Sequence, residues 1–423
     1  MCKQNGNGSI IDDTDDDHIE VVRRVDGDGR RVLFGFDGTT GKVTFESVPG
    51  RWVAYDGGYA DMGVALGKAD GMTGIGSPDR YYTGVYDELP GVSVDRKTLE
   101  KNDFGKAGMS KELFYELDND VHVMDPKMLV NWFDWSEKDV EEITTKVGPF
   151  VGNVIFRRED EWHDYRYYTL YEAFEKIAEL FQERERYEAF ETLHDEFIAD
   201  IQAKLPPADE RPNVLLVYEG SNEPVKFSPY RINDKGTSKK QWHDLGVSDA
   251  LASSGIDGIS TTDRGRIDYE TMLEIDPDVI LLRAHERQSA TEFRNTVLEF
   301  MRNHPVASKL TAVKNGRVYR GGYLYQGPIQ NLFLTERAAK QLYPDTFGEV
   351  TNDEQLFDRQ AGCGHHQGRV LNARRERRID ATRVRQIRRR RHRRRTVGGV
   401  YERFDARRRE NEGDERTDGR VRR

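Results

Sequence analysis

DYETMLEIDPDVILL, residues 268–282, reads as a short helix running through an acidic turn into a strand of consecutive apolar residues. SKELFYELDNDVHVM, residues 110–124, has the same plan and aligns with it without a gap. Glu112 falls on Glu270, Glu116 on Glu274, Leu117 on Ile275, Asp118 on Asp276, Asp120 on Asp278 and Val121 on Val279. A strand opens each half, RWVAY at residues 51–55 and NVLLVY at residues 213–218, and each leads into a polar loop. A unit repeated this far apart argues for two similar α/β lobes and against a solenoid of short repeats.

Working outward, strands continue to alternate with helices. TGIGS reads as a second strand of the first half, and SEKDVEEITTKVG as a helix capped by Ser136 and stopped at Gly148-Pro149. Leu170, Phe174, Ile177 and Phe181 recur at helical spacing, as do Phe190, Leu193, Phe197 and Ile201 after the charged break QERER. In the second half QWHDLGVSDALASSG and SATEFRNTVLEFMRN read as helices, GRVYRGG as a strand and IQNLFLTERAAKQLY as the last helix. Ahead of all this, RRVLFGFDGTTGKVTFESV reads as a hairpin. The expected fold class is α/β: two similar lobes, each a mainly parallel sheet flanked by helices, joined by one long backbone helix. The expected divisions are an acidic disordered leader over 1–30, a first lobe over 31–183, the linking helix over 184–205, a second lobe over 206–348 and an Arg-rich tail over 349–423.

Strand order, the linking helix, the unit MLEIDPDVILL and the segment NHPVASKLTAVKNGRVYRGG together resemble the helical-backbone class of substrate-binding proteins of ABC importers. That class includes receptors for ferric siderophores, haem, cobalamin and some free metal ions. The resemblance spans residues 51–344. The first lobe departs from the pattern, with LDNDVHV where the family favours a proline and an inserted aromatic stretch over 132–168. The resemblance implies a non-enzymatic, monomeric, extracytoplasmic receptor. It would capture an iron chelate of siderophore type, with cobalamin, haem or a free metal ion as alternatives. Its partners would be a permease and an ATPase, with the membrane reached through them or through an anchor outside this sequence. It further implies an acidic residue on each lobe that pairs with arginines of the permease; the matching positions are Glu112 and Glu270.

Ligands of open α/β sheets sit beyond the carboxyl ends of the strands, so the loops there supply the candidate site. Tyr59, Arg80, Tyr81, Trp132, Trp135, Arg231, Trp242, Arg283, Tyr323 and Tyr325 are the expected ligand-binding residues, and Tyr55, Asp56, Tyr82, Tyr230 and His285 lie in the same loops. Arginine forks meet anionic oxygens, and aromatic rings give large contact area at small entropic cost. A free-metal site would need converging histidines and carboxylates, whereas His122, His243, His285 and His304 are scattered. The catalytic patterns G-x-S-x-G, Walker A and H-E-x-x-H do not occur, and no cofactor is expected.

Charge is unevenly spread. The net charge is -10, but residues 361–423 hold 22 Arg, 9 acidic residues and no Lys, leaving -23 on residues 1–360. A body this acidic reads as suited to high ionic strength, where its carboxylates are screened. RQIRRRRHRRRTV in the tail could contact nucleic acid phosphates, but the abrupt loss of Lys reads better as a shifted reading frame or a disordered extension, and no nucleic acid partner is expected. Cys2 and Cys363 make no disulfide framework. Met1 is followed by polar and acidic residues, so no export signal is read at the start of this sequence.

Overall fold

The computed structural model describes residues 41–157, 160–234, 236–252, 254 and 265–350, with backbone segments at 25–26, 29–30 and 32–36. Most of the expected leader and nearly all of the tail lie outside them. Within the leader, β1 (Val25–Asp26) pairs antiparallel with β2 (Gly29–Arg30). The expected hairpin is β3 (Val32–Phe36) paired with β4 (Gly41–Phe45).

In the first lobe β5 (Trp52–Ala54) is flanked in parallel by β6 (Met72–Ile75) and β7 (Val121–Val123), and β8 (Phe150–Val151) joins β7, also in parallel. Helix α1 (Gly57–Ala65) begins where a loop was expected. Asp56 caps it, its carboxylate accepting from the amides of Gly58 at 2.7 Å and Tyr59 at 3.1 Å. Every residue of α1 is buried, and Gly63 is required there: a Cβ would stand 2.3 Å from the Trp52 ring. Next come α2 (Arg96–Lys101), α3 (Lys111–Leu117), α4 (Pro126–Trp132) and α5 (Glu137–Lys146), the last opened by a Ser136/Asp139 capping box. α6 (Leu170–Leu180) has a second such box at Thr169/Glu172. α7 (Arg184–Gln202), at 19 residues, runs about 28 Å to the second lobe.

The second sheet is built around β9 (Asn213–Tyr218). β10 (Ser228–Tyr230) pairs antiparallel with it at the edge, where Pro229 is tolerated. The expected long helix over 241–255 is instead α8 (Lys240–Asp244), broken by Gly246 at a φ of 59°, followed by β11 (Ser248–Asp249). α9 (Tyr269–Ile275) leads into β12 (Val279–Arg283), parallel to β9 and to β13 (Val318–Arg320). Between β12 and β13 lie α10 (Ala290–Phe293), a π-helical turn over Arg294–Leu298, α11 (Glu299–Asn303) and α12 (Thr311–Lys314). α13 (Pro328–Leu342) packs on α8 and, across the lobes, on α1.

The sequence repeat is realised atom by atom. Asp118 and Asp276 end α3 and α9 in the left-handed conformation, at φ of 44° and 40°. Two residues on, the amide of Asp120 donates to the carbonyl of Arg51 and that of Asp278 to the carbonyl of Asn213, each at 3.0 Å. Their carboxylates return the bond: Asp120 accepts from Gly50 and Arg51 at 2.7 and 2.9 Å, Asp278 from Asn213 at 2.9 Å. In both lobes the acidic turn stitches the second strand of the unit to the start of the first.

Candidate ligand cleft

A cavity of about 260 Å³ opens where the carboxyl ends of both sheets converge. The first lobe contributes Tyr55 after β5, Arg80 after β6, Trp132 at the end of α4, and Phe156 and Arg157 after β8. From the second lobe come Tyr218, Tyr230, Ser238, Lys239, Leu324 and Tyr325. Aromatic edges line the interior: Tyr325 stands edge-on to Phe156 at 4.8 Å and to Tyr55 at 6.2 Å between ring centroids. The Arg157 guanidinium lies 4.7 Å from the Trp132 ring centroid and is paired with Asp160 at 3.0 Å. Lys239 is buried, with Asp234 3.7 Å away. Arg80 is exposed at the cavity wall. Burial pushes the Tyr325 phenol up, and the Arg80 guanidinium beside it acts in the opposite sense. Among the described residues the lining carries three cations and no carboxylate, imidazole or thiol. Guanidinium and ammonium groups among aromatic rings suit non-covalent contact with an anion.

Of the expected residues, Arg80, Trp132 and Tyr325 come together on this wall. Others are placed elsewhere because their polar atoms find partners inside the lobes. Tyr59 donates to the Asn153 carbonyl at 2.9 Å, and Trp135 to that of Met109 at 2.9 Å. The Tyr81 hydroxyl lies 2.7 Å from that of Tyr86, and Trp242 is packed in the second-lobe core. Arg231 follows β10 outside the lining. Tyr323 stacks on Tyr82 of the first lobe at 4.6 Å. Arg283 sits behind the wall: its Nη2 donates to the Ser238 carbonyl at 2.5 Å and its guanidinium lies 5.0 Å from the Tyr230 ring. It positions two lining residues and does not line the cavity itself. Phe156, Arg157, Tyr218, Ser238, Lys239 and Leu324 were not expected. Tyr218, the aromatic end of the strand NVLLVY, was the one with a visible signal.

Contacts between the lobes surround the cavity. Arg287 meets Asp79 at 2.9 Å, both exposed. The side-chain amide of Gln330 donates to the Tyr82 carbonyl at 2.8 Å. Asp61, wholly buried in α1, caps α13 from the other lobe, accepting from the amides of Ile329 at 2.8 Å and Gln330 at 3.1 Å. Burial pushes its carboxyl up to about 7, against the lowering effect of Tyr86, which donates at 2.6 Å.

Among the described residues no histidine lines the cavity. Burial drives His122 down to about 3, and its ring packs between Phe114 and Phe150. Among the described residues no group of three or more His, Cys, Asp or Glu could hold a metal ion, and no helix is long and apolar enough to cross a membrane. Glu112 and Glu270 are exposed in the first turns of α3 and α9.

Two α/β lobes, a single long helix between them and an aromatic, cationic cleft define a two-lobed binding protein. A sequence profile described as periplasmic binding protein matches residues 53–323, and the chain belongs to that family. Its members are extracytoplasmic and work with ABC permease and ATPase subunits. Among curated relatives, the Fe(3+)-citrate-binding protein YfmC of Bacillus subtilis is 22% identical over 280 residues, covering 66% of this chain and 75% of the relative. The fold matches a periplasmic binding protein from Veillonella parvula with a TM-score of 0.51 at 18% identity, covering 75% of this chain and 92% of that one. It also matches nickel(II)-bound CeuE of Helicobacter pylori with a TM-score of 0.51 at 15% identity, covering 80% and 96%.

Proposed function

We propose that this chain is the extracytoplasmic receptor of an ABC importer and that it captures one small anionic iron(III) chelate between its lobes, releasing it unchanged. The observation that carries this reading is the cleft itself: Arg80 and Arg157 from one lobe and Lys239 from the other, set among Tyr and Trp rings with no carboxylate among the described lining residues. The curated relative named for ferric citrate supports iron as the metal. Size is in keeping with a compact chelate: about 260 Å³ lies just below the usual range of ligand pockets. Native mass spectrometry after incubation with ferric citrate tests the reading. One intact chelate per chain is expected; turnover of the chelate, or retention of bare metal alone, would contradict it.

Glu112 and Glu270, at equivalent positions of the repeat and both exposed, are the proposed contacts to the permease. Each sits where a helix dipole favours a carboxylate without hiding it. Reversing both charges, Glu112→Lys with Glu270→Lys, should leave chelate binding intact and lower transport in the reconstituted importer. Full transport by that variant would rule the contacts out.

A further inference from the structure

The second lobe reaches the first by a backbone contact at the cleft wall. Gly236 stands at a φ of 128°, outside the range that residues with a Cβ adopt readily. A Cβ there would meet the Phe156 carbonyl oxygen at 2.5 Å and the Arg157 Cα at 2.9 Å. These are main-chain atoms of the inserted stretch, and no side-chain rotation can move them aside. The next residue, Thr237, donates its amide to the Ile155 carbonyl at 2.9 Å. Both strands of this contact run directly into the cavity lining, through Phe156 and Arg157 on one side and Ser238 and Lys239 on the other. By contrast, the Asp79–Arg287 pair is a link between exposed side chains, of the kind that opens at small cost.

We infer that Gly236 is a positioning residue for the ligand: it lets the two main chains touch, and that touch sets Lys239 of the second lobe and Arg157 of the first on one cavity wall, so that an anion binding both holds the lobes shut. The inference rests on the cleft being the ligand site. The clasp acts after capture, so it governs escape of the ligand more than its arrival.

The test uses the full chain with ferric citrate as probe, comparing wild type, Gly236→Ala and Thr237→Pro. Thr237 is the first residue of a short helical turn; proline there removes the amide donor and sets a ring carbon against the Ile155 carbonyl, so it breaks the same contact from the second lobe's side. Dissociation of the chelate, followed by stopped flow, should speed up about tenfold in both variants, with association nearly unchanged. Small-angle scattering should show the wild-type chain more compact with chelate than Gly236→Ala with chelate, a difference that simple loss of stability would not produce. Wild-type dissociation and compaction in Gly236→Ala would overturn the clasp. Should Gly236→Ala fail to fold, unchanged dissociation in Thr237→Pro overturns it instead. If the wild-type chain retains no ferric citrate, the proposed ligand fails. The clasp is then judged by hydrogen exchange at the Thr237 amide: protection in wild type that is lost in Gly236→Ala supports it, and a fast-exchanging wild-type amide refutes it.

Discussion

The two lobes carry one structural unit and put it to opposite electrostatic use. Through Val121–Val123 and its counterpart Val279–Arg283 the backbone is equivalent, and then the chains diverge: Asp125 occupies the place that Arg283 holds in the other lobe. Asp125 turns inward. It caps α4 through the Lys127 amide at 2.8 Å, accepts from Val154 at 3.1 Å and binds the Tyr165 hydroxyl, tying down the inserted aromatic stretch. Arg283 turns toward the cleft wall and holds Ser238 and Tyr230 from behind. A duplicated scaffold therefore keeps its acidic stitches and varies the residues just beyond the strands, where ligands of such sheets bind.

The largest expected effect falls where the lobes are joined. Asp61→Ala would strip a buried acceptor from two α13 amides and from Tyr86, and should cost about 3 kcal/mol in urea unfolding. Asp61→Asn keeps an acceptor and separates charge from hydrogen bonding. With the folded carboxyl near 7 and an ordinary value of 3.8, the folded state holds its proton more tightly than the unfolded one. Wild-type stability should therefore fall as pH rises from about 4 to about 7, by a few kcal/mol, with Tyr86, Tyr81 and the α13 amides facing the group. In Asp61→Asn that part of the slope should vanish. An unchanged slope would mean that Asp61 is not the group responsible.

A middle-sized effect compares the stitches. Asp120 accepts two main-chain bonds and Asp278 one, so Asp120→Ala should cost about 2 kcal/mol and Asp278→Ala about 1 kcal/mol. Equal losses would show that the lobes do not differ at this point. The smallest effect should differ in sign. Asp118→Gly relieves a left-handed residue and should stabilise by about 0.5 kcal/mol. Asp276→Gly relieves the same backbone but loses the bonds that Asp276 accepts from the Thr311 amide and hydroxyl, each at 2.8 Å, and should destabilise by about 1 kcal/mol. Thermal melts of both variants check the pair.

The repeat was legible because its acidic positions are fixed by main-chain geometry that recurs in both lobes, and because buried parallel strands read as apolar runs. The hairpin and α7 were legible for similar local reasons. ADMGVALGKADGM reads as a helix, and only the start of α1 was missed, because its first residues are Gly57 and Gly58, which favour a loop until the Asp56 carboxylate caps them. The long helix expected over 241–255 failed at Gly246, whose positive φ ends α8. Within the site, residue type was a poor guide to direction. Tyr59, Tyr81, Trp135 and Trp242 are large aromatics expected in the loops, yet they serve the cores. Lys239 and Arg157 have local partners in Asp234 and Asp160, but the contact at Gly236 that brings their segments together is set by tertiary structure.

The central claim is that one anionic ligand is held by cations from both lobes at once. Calorimetric titration of ferric citrate into wild type, Arg157→Ala, Lys239→Ala and the double variant tests it most directly. Each single change should weaken binding by about 1–2 kcal/mol, and the double change by less than their sum, since removing one lobe's grip already loosens the other. Wild-type affinity in either single variant, with the whole loss confined to one lobe, would contradict it.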